Sequence, residues 1–422
     1  MDRVVLFVLP AAILLPSLRV GGWSLSPRFE IVAAAGFTIC WVAAFALRGK
    51  VRVPGEAMGL RWFAGLLTLV LLAVLVGIVF LDYAPSARDT SELLRVIAYG
   101  TLFWLGVRFG RRGAKSSAII VCLLGAATIA LSVGFLQYGN VLGINNWLTP
   151  LYTATQLRGL VVHQRILGTF SNPNEFGMFL VLPAAVSLGI TLLSSRRRHR
   201  ILSWILLATF AVGIVLTGSR TALASLLIVV FAIFLFAAPR LIGAATALKM
   251  FFRMLAVGAL AALVVTVFEP SQAVRRIAEI SDIRQASSWQ ARVEDWADDY
   301  QLWLASPVTG WGPGEADMES TVDNEWLLIM RRYGILGLVW FVVGGMAAFV
   351  VLLRLLGMAR PPGAKILAVA LIGMIPACAF YMLFAAVYHA PQLMPPLLLV
   401  LGVTLAGASP SSQKTSGDVQ CA

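Results

Sequence analysis

The sequence predicts an all-α polytopic membrane protein with about 12 transmembrane helices and one long outer loop that contains an amphipathic helix. Three observations support this fold class. The 422 residues are 59% hydrophobic and only 13% charged, with a mean hydropathy of +0.86. Such a chain carries more apolar surface than a soluble protein can bury. Apolar runs long enough to cross a bilayer recur along the chain, separated by short charged breaks.

Each predicted span is an apolar run of suitable length. The approximate centres are Leu9, Thr38, Leu72, Tyr99, Ala127, Pro183, Ala208, Val230, Leu263, Gly345, Met374 and Val400. The first run is short and contains Pro10 and Pro16, so a cleavable signal peptide is the alternative there, although no small-residue cleavage site follows it.

The pattern divides the chain into five parts. Residues 1–137 form N-terminal transmembrane helices, and residues 138–268 form central ones with an outer loop at 138–175. Residues 269–333 form the large outer loop, residues 334–407 form C-terminal transmembrane helices, and residues 408–422 form a disordered cytoplasmic tail.

Lysine and arginine positions predict that both termini lie in the cytoplasm. With the N terminus inside, every inner turn carries a basic cluster, of which "SSRRRHR" is the densest. The outer short turns hold only Arg19, Arg28, Arg88, Arg158, Arg165 and Arg220. The net charge of +13 therefore follows from topology, and we predict no nucleic-acid partner. Binding of lipid headgroups is the alternative role for "SSRRRHR".

Cysteine and histidine positions predict neither a disulfide framework nor a metal site. Cys40, Cys122 and Cys378 lie in predicted spans, and Cys421 lies in the tail. The three histidines are scattered, and no GxxxxGK[ST] phosphate loop is present. We therefore expect no cofactor.

The segment "SSWQARVEDWADDYQLWLASP" predicts the amphipathic helix of the large loop. Its apolar residues recur at alternating steps of four and three, which places them on one face: Trp289, Val293, Trp296, Tyr300 and Trp303. The helix should lie along the membrane interface or pack on the spans, and both arrangements place Arg292 near the outer surface. Asp295, Asp298 and Asp299 could bind a divalent cation, but a solvated acidic face is the commoner interpretation.

The next segment, "SPVTGWGPGE", is too rich in glycine and proline for regular structure. Its backbone amides could approach a phosphate, although a glycine-rich loop is weak support for a binding site when it stands alone.

Polar residues precede the span centred on Pro183. Asn172 as N-cap, Pro173 at the first helical position and Glu175 two residues later form a start similar to a capping box. This leaves Asn174 without a capping role. Because amides beside a carboxylate often hold sugar hydroxyls, Asn172, Asn174 and Glu175 are candidate substrate-binding residues.

Arg220, in the short turn "LTGSRTALAS", is either an interfacial anchor or an anion ligand beside the helix start that follows Ser219. Arg165 and Arg292 would join it from the two long outer segments. Three arginines at one membrane face indicate recognition of a lipid-borne phosphate, because guanidinium binds phosphate bidentately and stays charged.

Asp323 is the best-placed carboxylate for a general base, although capping of the helix that follows is an equally simple role. Its neighbour Asn324 is a candidate substrate contact. Arg331 and Arg332 either assist in binding or anchor headgroups.

Four segments in this order, "RILGTFSNPNEFGMFL", "LTGSRTALAS", "RVEDW…SPVTGWGPG" and "DNEWLLIMRRYGILGL", resemble the bacterial O-antigen ligase and polymerase family, from about Arg165 to Val342. The resemblance implies an inverting, metal-independent glycosyltransferase of the inner membrane. Its donor would be a glycan on undecaprenyl diphosphate at the periplasmic face. The diphosphate-binding arginines of the family correspond by position to Arg165, Arg220 and Arg292.

Ligases of this family typically carry a histidine at the start of the span after the long loop, where this sequence has Asp323 and Asn324. That difference favours an O-antigen or exopolysaccharide polymerase over a ligase that transfers the glycan to lipid A-core. The implied partners are the lipid-linked donor, a glycan or lipid A-core acceptor, membrane lipid and a chain-length regulator. Asp323, or else Glu175, would take the acceptor's proton.

A transporter or flippase is the alternative from another functional class. Arg95, near the outer end of a predicted span, would suit an anion path, but it would also suit a headgroup anchor. The predicted spans lack paired interruptions and mid-depth ionisable residues, which disfavours transport.

Overall fold

The computed structural model describes most of the chain. The described residues are 54–81, 84–111, 116–149, 160–161, 164–268, 287–314, 323–358 and 360–406, with Leu6, Leu9, Pro10, Leu14 and residues 18–20 and 23–25. The span predicted around Thr38, the residues Cys40 and Cys421, and the predicted tail at 408–422 lie outside the described residues.

Helices account for nearly all of the described secondary structure. They are α1 (Pro54–Phe80), α2 (Ala87–Arg111), α3 (Ser116–Tyr138), α4 (Ile144–Leu148), α5 (Pro173–Leu193), α6 (Arg197–Leu216), α7 (Arg220–Ala232), α8 (Ala238–Ile242), α9 (Ala244–Phe268), α10 (Ser287–Ala305), α11 (Glu325–Leu356), α12 (Pro362–Tyr381) and α13 (Met394–Ala406). A π-helical turn, Ile233–Ala237, joins α7 to α8, and a 3-10 turn, Val141–Gly143, precedes α4. Two short strands, β1 (Leu18–Val20) and β2 (Trp23–Leu25), pair antiparallel with Val20 opposite Trp23.

Within the described residues, 8 helices are long and apolar enough to cross a membrane: Gly59–Phe80, Arg88–Arg111, Ser116–Tyr138, Pro173–Leu193, Arg197–Leu216, Arg220–Ile242, Glu325–Leu356 and Pro362–Tyr381. Each contains one predicted span centre. The centre at Val400 lies in α13, a shorter apolar helix, and the centre at Leu263 lies in α9. These findings confirm an all-α polytopic membrane protein, while the total of about 12 spans stays a prediction.

The helix α5 forms the centre of the bundle. It is buried along nearly its whole length, and α6, α7 and α12 pack around it. Because no side of α5 faces lipid or water, its sequence is apolar all round rather than striped. This packing fixes the start of α5 against the neighbouring helix ends.

The helices α2 and α13 approach each other through glycines. A Cβ added to Gly106 would lie 2.3 Å from the carbonyl oxygen of Leu399, and one added to Gly402 would lie 2.1 Å from that of Phe103. Small residues allow such backbone approach between membrane helices. The contact holds α13 against α2, and α2 carries several of the charged groups described below.

A kink divides α11 at Gly334, whose backbone adopts φ 62° and ψ −160°. The glycine-rich segment packs on this kink: the N–H of Ile335 donates to the Pro307 carbonyl at 2.8 Å, and the N–H of Trp311 donates to the Arg331 carbonyl at 2.9 Å. The N–H of Gly312 likewise donates to the Arg332 carbonyl at 3.0 Å. The backbone amides of Trp311 and Gly312 are therefore occupied by α11, and the suggestion that the amides of this segment approach a phosphate is wrong for these two.

Candidate active site

Two helix starts lie side by side at one end of the bundle. A Cβ added to Gly177 of α5 would lie 2.8 Å from Thr217 Oγ1 and 2.9 Å from Ala222 Cβ, so the first turn of α5 packs directly on the turn before α7. Ser219 caps α7 by accepting a hydrogen bond from the N–H of Ala222 at 3.3 Å. Arg220, the first residue of α7, is half-buried at this corner, and no described carboxylate pairs with it.

Arg165 reaches the same corner from the segment before α5. Its Nε donates to the Thr217 carbonyl at 2.6 Å, and its Nη2 donates to Asn174 Oδ1 at 2.6 Å. Asn172 caps α5, as predicted, with its side chain accepting from the N–H of Asn174 at 2.8 Å. The amide of Asn174, which had no role in capping, therefore orients an arginine.

The carboxylate of Glu175 lies in the first turn of α5 and accepts a hydrogen bond from Ser171 Oγ at 3.3 Å. Glu175 is half-buried. Its carboxylate therefore bonds to the hydroxyl of Ser171, the residue before the N-cap, in the place where a capping box would use the backbone N–H of the N-cap residue.

The long loop contributes Arg292 through α10, which begins at Ser287 and ends at Ala305, within the segment predicted to be helical. Arg292 Nε donates to Asp323 Oδ2 at 3.1 Å, and the two side chains are 28% and 51% exposed. The cap of α11 is Asn324, whose Oδ1 accepts from the N–H groups of Trp326 and Leu327 at 3.0 and 3.2 Å. Asp323 is therefore not the cap, and its carboxylate lies at the exposed edge.

Tyr381, at the end of α12, lies next to the start of α11, because the carbonyl of the following residue, Met382, accepts from the N–H of Glu325 at 2.8 Å. Its side chain is fully buried and interacts electrostatically with Arg165, Glu175, Arg292 and Asp323. Four of the residues predicted from sequence thus lie within electrostatic range of one tyrosine, although they come from separate parts of the chain. Arg220 is placed beside this cluster by the contact between α5 and α7.

Arg331 and Arg332 are buried within α11 rather than exposed at the cluster. Arg331 Nη1 pairs with Asp299 Oδ1 of α10 at 2.8 Å, and both side chains are buried. Burial raises the pKa of Asp299, and the Arg331 guanidinium opposes that rise. Asp299 thus faces the protein, whereas Val293 and Tyr300 of the apolar stripe are exposed and Trp296 packs near Phe384. The helix α10 is therefore fixed to α11 by an ion pair that its sequence pattern did not predict.

A second charged group was missed from the sequence. Glu325 is fully buried, and its carboxylate accepts from the backbone N–H groups of Val387, Tyr388 (2.7 Å) and His389 (3.1 Å). It also contacts His389 Nδ1 at 2.6 Å. These contacts hold the segment between α12 and α13 against the start of α11.

The same histidine connects Glu325 to α2. His389 Nε2 lies 2.5 Å from Arg332 Nη1 and 3.5 Å from Glu92 Oε2, and Arg332 lies 3.6 Å from that Glu92 oxygen. Arg95 pairs with Glu92 one turn away in α2. Arg95 is therefore part of an internal ion-pair network, and its interpretation as a headgroup anchor is wrong. The sequence signal for this network was a glutamate and an arginine three residues apart inside an apolar run.

Within the described ranges, no group of three or more His, Cys, Asp or Glu side chains is placed to hold a metal ion.

Residues 205–342 match the family model described as O-antigen ligase. The match covers about a third of the 422-residue chain and includes Arg220, Arg292, Asp323, Asn324, Arg331 and Arg332. Arg165, Asn172, Asn174 and Glu175 precede it. No curated protein matches the chain. The predicted resemblance is confirmed over the matched residues.

Proposed function

Because residues 205–342 match the family model described as O-antigen ligase, we propose that the protein is a membrane glycosyltransferase that polymerises oligosaccharide repeat units carried on undecaprenyl diphosphate. The product is an O-antigen or an exopolysaccharide, made at the periplasmic face of the bacterial inner membrane. The observation that carries this proposal is the contact between the starts of α5 and α7, where Arg165, held by the Thr217 carbonyl and Asn174, lies beside Arg220.

Arginines and helix starts give the cluster the chemistry of a diphosphate site. Arg165 is held in place by Asn174 and the Thr217 carbonyl, and Arg292 reaches in from the outer loop. Arg220 adds its charge at the first position of α7, where the unpaired N–H groups and helix dipole also favour an anion. In the proposed reaction these three guanidiniums neutralise the charge that grows on the leaving diphosphate, usually the largest electrostatic contribution to such a step.

The proposed reaction is a single displacement with inversion. An acceptor hydroxyl oxygen forms a bond to the anomeric carbon of the donor glycan while the bond from that carbon to the diphosphate oxygen breaks. The acceptor's proton passes to Asp323, or to Glu175 as the alternative base, and undecaprenyl diphosphate leaves with the electron pair. Asp323 Oδ2 accepts from Arg292, and its other carboxylate oxygen is the one proposed to receive the proton.

The remaining predicted contacts take different roles in this proposal. Asn172 and Asn324 use their side-chain oxygens as helix caps, so their NH2 groups are the proposed contacts with sugar hydroxyls. Asn174 acts through Arg165. Arg331 and Arg332 pair with Asp299 and with the network around Glu92, so we assign them a supporting role rather than contact with substrate. No metal or cofactor takes part.

A ligase that transfers the glycan to lipid A-core is the second candidate. The observation that favours it is His389, which Glu325 holds beside the start of α11 at 2.6 Å. The sequence places Asp323 and Asn324 where ligases typically carry their histidine, but the fold supplies an imidazole to that helix start from another loop.

Transfer in proteoliposomes tests the proposal. Purified protein is given an undecaprenyl-diphosphate oligosaccharide with and without a lipid A-core acceptor, and the products are resolved by size. A ladder from donor alone supports a polymerase, whereas a single addition that requires lipid A-core identifies a ligase. Arg220→Ala and Arg292→Ala should each lower turnover by about 100-fold or more, while Arg198→Ala, at the exposed start of α6, should not. Wild-type turnover in both variants would show that Arg220 and Arg292 do not form a diphosphate site.

A further inference from the structure

Tyr381 carries a buried hydroxyl. The residue ends α12 and its side chain is 0% exposed. The hydroxyl makes no hydrogen bond with any residue that the structure describes. A buried hydroxyl without a partner costs about 1–3 kcal/mol, so phenylalanine would be the more stable choice here if packing alone determined the residue.

The surroundings of this hydroxyl are charged. Arg165, Glu175, Arg292 and Asp323 all interact with it electrostatically, yet it donates to neither carboxylate. Its donor is thus unused within electrostatic range of the residues that form the proposed diphosphate site. The end of α12 also meets the start of α11, since the Met382 carbonyl accepts from the N–H of Glu325 at 2.8 Å. The Arg292–Asp323 pair is 28% and 51% exposed, whereas Tyr381 is fully buried.

We propose that Tyr381 contacts the substrate directly, its hydroxyl donating a hydrogen bond to a phosphate oxygen of the donor's diphosphate held by Arg165 and Arg292. Among the ligand groups available, a phosphate oxygen is the strongest acceptor, and the two guanidiniums already select for it. The phenol adds a directed neutral donor that does not increase repulsion between the arginines. This inference rests on the proposed function for the identity of the ligand.

Binding and stability are measured on the full-length protein in lipid nanodiscs. The ligand is undecaprenyl diphosphate, and the variants are Tyr381→Phe and Tyr388→Phe. Tyr388 is the matched control, because it is also buried with an unpartnered hydroxyl, but its charged neighbours are Glu92 and Arg95. Tyr381→Phe should weaken binding about five- to tenfold, the value of one hydrogen bond, and Tyr388→Phe should leave it unchanged. Tyr381→Phe should also melt at or above the wild-type temperature, since no protein hydrogen bond is lost.

Each result decides the proposal. It is supported if Tyr381→Phe binds more weakly but is no less stable, and this holds even if the wild type forms no polymer, in which case only the proposed function fails. It is overturned if Tyr381→Phe binds like wild type, or if the wild type does not bind the diphosphate. It is also overturned if Tyr388→Phe loses the same affinity, or if Tyr381→Phe melts at a lower temperature, because the hydroxyl then serves the fold.

Discussion

Replacing Glu325 by glutamine should destabilise the protein strongly although the two side chains have nearly the same shape. Both carboxylate oxygens are used: one accepts from the N–H groups of Val387 and Tyr388, and the other accepts from the N–H of His389 and contacts its ring. Glutamine replaces one oxygen with an NH2 group. Whichever way the amide is oriented, a donor then faces a backbone donor inside the protein.

The magnitude follows from these contacts. A hydrogen bond to a charged group contributes about 1.5–3 kcal/mol, and the loss of two gives about 3–6 kcal/mol.

Thermal denaturation in detergent, followed by the loss of monodisperse protein, measures this effect. Glu325→Gln should lower the midpoint by roughly 5 °C or more. Glu294→Gln is the matched control, because Glu294 is exposed on α10 and exposed substitutions usually change stability by about 0.5 kcal/mol or less. Equal midpoints for Glu325→Gln and wild type would refute the argument that this carboxylate holds the segment between α12 and α13.

Three further predictions concern the kink, the base and the absence of metal chemistry. Gly334→Ala should lower the melting midpoint, because its Cβ would lie 2.1 Å from the Val308 carbonyl oxygen at a positive φ, whereas Gly345→Ala, with nothing within 4 Å, should be tolerated; equal midpoints would contradict the kink contact. Asp323→Asn should slow glycan transfer far more than Asp298→Asn on exposed α10, and equal rates would remove Asp323 as the base. A chelator should leave transfer unchanged; loss of activity that a divalent cation restores would contradict metal-independent displacement.

The sequence by itself determined the membrane class, the 8 described spans and the start of α5. Those features depend on local composition: a bilayer requires long apolar helices, and a cap needs only a side chain within a few residues of the N–H groups that it satisfies. Asn172 and the helix α10 could therefore be predicted, as could the match to a known family over residues 205–342.

Tertiary structure alone decided which charges meet. Asp299 and Arg331 are 32 residues apart in the chain, and Glu325 and His389 are 64 apart. The amphipathic pattern of α10 placed Asp299 outside, yet it is buried, because an arginine on α11 offers its charge a partner. The sequence does not distinguish Tyr381 from the other aromatic residues in the predicted spans. The four charged side chains that interact with it come from α5, from α10 and from the segments before α5 and α11, and local sequence does not predict that they approach the end of α12.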